Sequence, residues 1–204
     1  MAIENGYTTL EEVKGALRIT DDIDDPLLEL AIEAASREID GYCERVFYSQ
    51  GTATKLYRAE DSFRVFIDDL TEITTLETSS DGKSFQITWD ETDYQLEPVN
   101  GTRGATPWPF TSISAIGRYL FPIWHPRHPD AYEATVRVTG VWGWPSVPTA
   151  VRQAAVLLAI RQFKRYDSPL GIAGGFGDMG AMRVVKVDPD VEALIQPFRK
   201  VFMA

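Results

Sequence analysis

Five glycines, Gly171, Gly174, Gly175, Gly177 and Gly180, crowd into the stretch SPLGIAGGFGDMGAMRVVKVDPD, and glycine density of this kind is the usual cradle of a phosphate group. Gly175-Phe176-Gly177-Asp178-Met179-Gly180 even matches the GxGxxG spacing of dinucleotide sites. That pattern needs a strand before it and a helix after it, so that the helix amides and dipole meet the pyrophosphate. Here a helical pattern precedes the glycines and the strand-like MRVVKV follows them. A P-loop needs Gly-Lys-Ser/Thr, whereas Gly180 is followed by Ala181, Met182 and Arg183. The stretch therefore reads as a flexible loop, permissive because glycine meets no steric penalty at positive φ.

His125 and His128 are the only histidines, spaced H-x-x-H beside Asp130 in WHPRHPD. Metal-binding histidines are held on rigid elements with supporting partners, and this segment is broken by prolines with no third ligand assignable. It reads as a surface loop, with a metal site as the sharper alternative. Cys43 lies on the apolar side of a helical pattern and reads as a small core residue, not a nucleophile. No Ser–His or Cys–His pair emerges, and the abundant carboxylates are scattered. No catalytic residue, metal ligand or cofactor is expected. Trp108, Phe110, Trp142 and Trp144 sit in TPWPF and VWGWP, where aromatics serve as interface anchors or plug the end of a small β domain.

The elements that carry these residues follow from hydrophobic periodicity. YTTLEEVKGALRI opens with a capping box, Thr9 with Glu12, and places Leu10, Val13 and Leu17 on one helical face. A longer helix follows, capped by Asp24 or Asp25, with Pro26 in its first turn and Leu28, Ile32, Ala35, Ile39, Tyr42 and Val46 on its buried face. From Gln50 the period becomes two. Phe63, Val65 and Ile67 alternate with Arg64, Phe66 and Asp68, and Asp81–Gly82 marks a hairpin turn. Further strands are expected in DYQLEPV, SISAIGRYLF and YEATVRVTGVW, the last with Tyr132, Ala134, Val136 and Val138 on one side. Helix returns after Pro148, with Val151, Ala154, Ala155, Leu157 and Leu158 as its apolar stripe. A short last helix, capped by Asp188, carries Val191, Leu194, Ile195, Phe198 and Phe202 on one face and is interrupted at Pro197.

The expected class is α+β: a small antiparallel helical bundle with an inserted antiparallel β domain, a C-terminal Gly-rich loop and a short helix. The boundaries fall at 1–49 for the N-terminal helical pair, 50–145 for the β insert and 146–204 for the completing helices. The chain has 204 residues and a net charge of −10. Residues 1–147 hold 12 basic against 25 acidic side chains, and residues 148–204 hold 8 against 5. An acidic body lacks the concentrated basic face of a DNA-neutralising binder. One cysteine excludes an intrachain disulfide, no signal-peptide pattern opens the chain, and no apolar run reaches membrane-spanning length.

The stretch TTLEEVKGALRITDDIDDPLLELAIEAASREIDGYCER resembles the N-terminal helical pair of the head–tail connector proteins of tailed bacteriophages, also called adaptor or head-completion proteins. VWGWPSVPTAVRQAAVLLAIRQFKR is similar to the third helix of that family, and the glycine loop with DPDVEALIQPFRK to its C-terminal segment. The resemblance implies a non-enzymatic virion protein of the head–tail neck, assembled in the host cytoplasm. It implies a ring of about twelve copies that contacts the portal protein and the next neck or tail component and lets duplex DNA pass without specific binding. In that setting the Gly171–Gly180 loop is expected to dock, and Val191, Leu194, Ile195, Phe198 and Phe202 to face the portal or a neighbouring subunit. Other neck or tail-completion proteins of similar size, a cellular protein–protein adaptor, and a small enzyme or ligand-binding module using the His125–His128 loop are the alternatives.

Overall fold

A computed structural model describes residues 3–59, 61–123, 134–166 and 188–200. Its elements are helices α1 (Leu10–Leu17), α2 (Asp25–Cys43), α3 (Thr149–Tyr166) and α4 (Pro189–Ile195), and strands β1 (Ser49–Tyr57), β2 (Arg64–Thr78), β3 (Ile87–Thr88), β4 (Tyr94–Glu97), β5 (Thr102–Arg103), β6 (Thr106–Pro107), β7 (Phe110–Ala115) and β8 (Val136–Gly143). The class is α+β. Two compact units form, one from residues 1–47 with 147–204 and one from residues 48–146.

In the helical unit α1 begins as its sequence dictates: the Glu12 amide donates to the Thr9 hydroxyl, while the Glu12 carboxylate accepts from the Thr9 amide. Such a box satisfies two of the four amides that every helix start leaves without partners. The start of α2 differs from expectation. Asp24 occupies the cap position without a side-chain bond, because its backbone, at φ −94° and ψ 0°, is helical and not extended as capping requires; Asp25 and Asp22 pair with Lys14 of α1, at 2.6 and 2.9 Å. Leu28, Ala31, Ile32, Ala35, Ile39 and Cys43 line the buried face of α2. Val151, Ala154, Ala155, Leu158 and Ala159 do the same for α3, where three alanines let the helix backbones approach closely. Leu157, expected in that stripe, is 38% exposed: its position is rotated past the edge of the contact. Val46 is only partly buried, since α2 ends at Cys43, and Tyr42, within the helix, is also only partly buried.

The direction of the helices is a second difference. Arg152 near the start of α3 pairs with Glu12 of α1, two residues from the lysine that holds the start of α2. Gln162 near the end of α3 donates to Glu38 at 2.9 Å, well along α2. Thus α3 runs in the same direction as α2. Short loops force neighbouring helices to alternate, and the segment between these two helices is long enough to lift that constraint.

The β unit is a six-stranded antiparallel sheet in the order β1-β8-β2-β7-β4, with β3 pairing to the far end of β2, beside a two-stranded β5–β6 ribbon. Alternation sets its inner face: Val65, Ile67, Val136 and Val138 are buried and Phe66 is exposed, but Phe63, expected with Val65 and Ile67, precedes the start of β2 at Arg64 and is exposed. Tyr132 lies outside the described residues. The hairpin at Asp81–Gly82 forms, yet its last paired residues are Thr78 and Ile87, so the loop is longer than the two-residue turn that the dipeptide suggests. Asp81 organises that loop by accepting from the amides of Lys83 and Ser84 and the hydroxyl of Ser79.

Candidate functional site

The aromatics nominated by the sequence are structural. Trp142 is fully buried and its indole N–H donates to the Ala53 carbonyl at 2.8 Å. Trp144 is buried and donates to the Asp69 carboxylate at 2.9 Å, while its ring meets Trp108 edge-on at 5.0 Å. The indoles of Trp142 and Trp144 thus each have an acceptor, as a polar handle inside a core requires. Phe110 is half-buried against the same core. These rings plug the β unit.

Cys43 is wholly buried, and burial pushes its thiol up to about 12. A nucleophile needs the opposite shift. Among the described residues no group of three or more His, Cys, Asp and Glu is placed to hold a metal. His125 and His128 lie outside the described residues, as do Gly171, Gly174, Gly175, Gly177, Gly180 and Phe202.

The C-terminal helix starts as expected: the Asp188 carboxylate accepts from the Asp190 amide, and Pro189 fills the first turn. Pro197 ends it, and the chain continues as a 3-10 turn over Gln196–Phe198. Its apolar stripe has a different destination from the one expected. Val191, Ile195 and Phe198 are buried in the chain's own helical unit, and Leu194 is half-buried. Phe198 meets Phe47 edge-on at 5.8 Å, and Phe47 meets Tyr7 edge-on at 5.6 Å. The Ile195 carbonyl covers the Cys43 thiol, the Lys200 amide donates to the Cys43 carbonyl, and Arg161 pairs with Asp188. A tail held at this many points belongs to the core. Two apolar side chains on the seven residues of α4, with Phe198 on the turn after it, gain more by covering α2 and α3 than by staying open.

What the helical unit presents outward is a different set. Along α2 and the turn before it, Ile23 (84% exposed), Leu27 (40%) and Leu30 (45%), with exposed Ala34, form one strip. Their spacing of four, three and four keeps them on one helical face, rotated well away from Leu28, Ile32 and Ile39. Sequence reasoning missed this strip because α2 carries two apolar faces, and the longer one absorbed the periodicity. The isolated Ile23 inside TDDIDDP was the available signal. On α3 the outward face carries Gln153, Leu157 and Lys164, all exposed, with half-buried Ile160 among them. Between α2, α3 and α4 lies a cavity of about 110 Å³ bordered by Glu38, Tyr42, Arg161, Arg165 and Asp188.

Charge is segregated between these two helices. Within α2 five acidic residues face one basic residue, and α3 has four basic residues and no acidic one. No helix among the described residues is long and apolar enough to cross a membrane.

Residues 7–84 match the family model described as phage gp6-like head-tail connector protein. No curated protein matches the chain. Among solved structures, the fold is similar to a chain from the neck of an empty GTA particle computed with C6 symmetry, at TM-score 0.57 and 20% identity, covering 100% of this chain and 95% of that one. A chain from the neck of a native GTA particle computed with C12 symmetry gives TM-score 0.57 and 18% identity, with 100% and 94% covered. A chain from the virion of a native gene transfer agent particle gives 0.53 and 21%, with 100% and 95% covered. The matched span 7–84 takes in α1, α2, β1 and β2, and over it the chain is similar to the phage gp6-like head-tail connector family.

Proposed function

We propose that the chain is a structural connector of a phage-type particle: copies of it form a ring at the neck that extends the DNA path out of the head and joins the head to the neck or tail. The observation that carries this reading is the connector-family match over residues 7–84 on a chain whose whole fold aligns with neck proteins of a particle imaged with sixfold and twelvefold symmetry. A ring of twelve copies, with the portal protein on one side and the next neck component on the other, is the finer form of the proposal. The chain acts without catalysis, by fit. The acidic excess of residues 1–147 suits a wall beside passing DNA, because like charge keeps the duplex from adhering.

The portal contact is proposed for the glycine stretch 171–180 and for the end of the chain, including Phe202. Of α4 itself only the outward side, with Leu194, is left to take part, because Val191, Ile195 and Phe198 are covered internally. The test is genetic and biochemical. Particles assembled without this protein are expected to accumulate as DNA-filled heads that lack tails, and the purified protein is expected to restore joining when added back. Normal tailed particles in its absence would overturn the reading.

A further inference from the structure

We infer that the two ends of the chain are coupled through Phe47: residues 4–7 at the start, and α4 with its turn at the end, each hold this one ring, so that release of either end loosens the other. The coupling is a property of the free chain, whether or not copies form a ring.

The start of the chain lies along α2 as a strap. The Glu4 amide donates to the Glu33 carboxylate at 2.8 Å, the Arg37 guanidinium donates to the Asn5 carbonyl at 3.0 Å, and the Tyr7 amide donates to the Ser36 hydroxyl at 3.0 Å. The Tyr7 hydroxyl donates to the Asp40 carboxylate. Positions 33, 36, 37 and 40 recur at helical spacing and form one ridge of α2. The end of the chain is held at other points. The Tyr42 hydroxyl donates to Glu192 at 3.0 Å, the Cys43 carbonyl accepts from the Lys200 amide, and Arg161 pairs with Asp188.

Phe47 meets both ends. It is wholly buried, yet it stands in the irregular stretch between α2 and β1, after Glu44 in the left-handed conformation has ended the helix. Its amide donates to the Tyr7 hydroxyl at 2.8 Å, and its ring meets those of Tyr7 and Phe198 edge-on, at 5.6 and 5.8 Å. The Tyr7 hydroxyl thus serves two bonds, accepting from Phe47 and donating to Asp40. A buried amide stripped of its acceptor must move to find another, and edge-on ring pairs depend on distance and angle. When the strap lifts, Phe47 loses its acceptor and no longer presents the same edge to Phe198. When α4 lifts, Phe47 loses the ring that presses it toward Tyr7. Such a coupling is reciprocal, each end changing the opening of the other by the same factor. The residues after Phe198 include those assigned above to the portal, so a grip on the end of the chain is felt at residues 4–7.

The test uses the full-length chain in solution, with buried Cys43 as the reporter of α4 opening. Tyr7→Phe removes only the hydroxyl and should speed thiol labelling about tenfold. Phe198→Leu keeps apolar bulk, drops the ring and should also speed it. Combined, the two should fall short of the product of their separate factors by about threefold or more. The reciprocal readout is hydrogen exchange at the Tyr7 amide, which should quicken in Phe198→Leu while the Ala155 amide, inside α3, keeps its natural rate. Labelling of Tyr7→Phe at the natural rate, separate factors that multiply, or a Tyr7 amide unmoved by Phe198→Leu would each overturn the inference. Equal quickening at Tyr7 and Ala155 overturns it as well, because the whole unit is then unfolding and not its two ends.

Discussion

Replacing Phe198 with alanine should release the C-terminal helix, and the single buried thiol beneath that helix reports the release. Phe198 is 8% exposed and lies edge-on to Phe47, which in turn lies against Tyr7. Truncating a buried phenylalanine costs about 3–5 kcal/mol in a core, and a position near the chain end belongs at the lower figure. At about 1.4 kcal/mol per factor of ten, a loss of about 3 kcal/mol raises the open population roughly a hundredfold. When α4 is docked, Cys43 is covered by the Ile195 carbonyl and its thiol is pushed up to about 12, so it does not react. When α4 lifts, the thiol is uncovered and its pKa falls back toward the ordinary cysteine range. With opening faster than chemistry, the labelling rate by a thiol reagent at mildly alkaline pH follows the open population. The variant should therefore label roughly a hundredfold faster than the natural chain, by the same conversion. Leu194→Ala, at a half-buried position, is the control and should accelerate labelling by less than about tenfold. Equal rates for the Phe198 variant and the natural chain, or a natural chain that labels as fast as a free thiol, would refute the reasoning.

Other substitutions have comparably direct readouts. Trp144→Phe removes the indole donor to buried Asp69 and should lower unfolding free energy by about 1–3 kcal/mol in urea titration. Thr9→Ala removes one half of the α1 capping box and should cost about 1 kcal/mol, seen as a lower denaturation midpoint of the helical unit. Glu77→Gln weakens the two-pronged pair with Arg137 that ties β2 to β8 at facing positions, and should cost about 1 kcal/mol because both groups are partly open to water. Arg137 also holds the Glu77 carboxyl below its usual range, and hydrogen bonds lower Asp81 and Asp22 in the same direction. Stability from these three groups is complete above the ordinary carboxylate range and is lost as pH falls through their lowered values. Asp40 has the opposite sign: burial raises it, so its contribution is greatest at low pH and declines as pH rises. Melting curves across the acidic range of the natural chain and the Glu77 variant check this, and the variant should lose less on acidification.

The parts of this fold that were readable in the sequence are those decided by local rules. The Thr9–Glu12 box, the Asp188–Pro189 helix start and the alternation that buries Val65 and Ile67 each depend on neighbours a few positions away, and each stands where expected. The misreadings involve choices made over distance. Asp24 is as good a cap as Asp188 by residue type, but its backbone is helical where that of Asp188 is extended, and only the extended one makes the bond. Leu157 and Leu158 are indistinguishable by composition, and only the angle at which α3 meets α2 exposes one and buries the other. The stripe on α4 showed that something must cover it, without showing that the cover was the chain itself. The outer strip of α2 was hidden for the same reason: a helix with two apolar faces yields one periodic signal. It appears only once Leu28 and Ile32 are seen to be buried and Leu27 and Leu30 are not.

The most direct measurement of the central claim is an image of the particle neck at a resolution that traces side chains. This chain is expected in the density between portal and tail as a closed ring. Density at that level built from a different protein, with this chain absent from the neck, would contradict it.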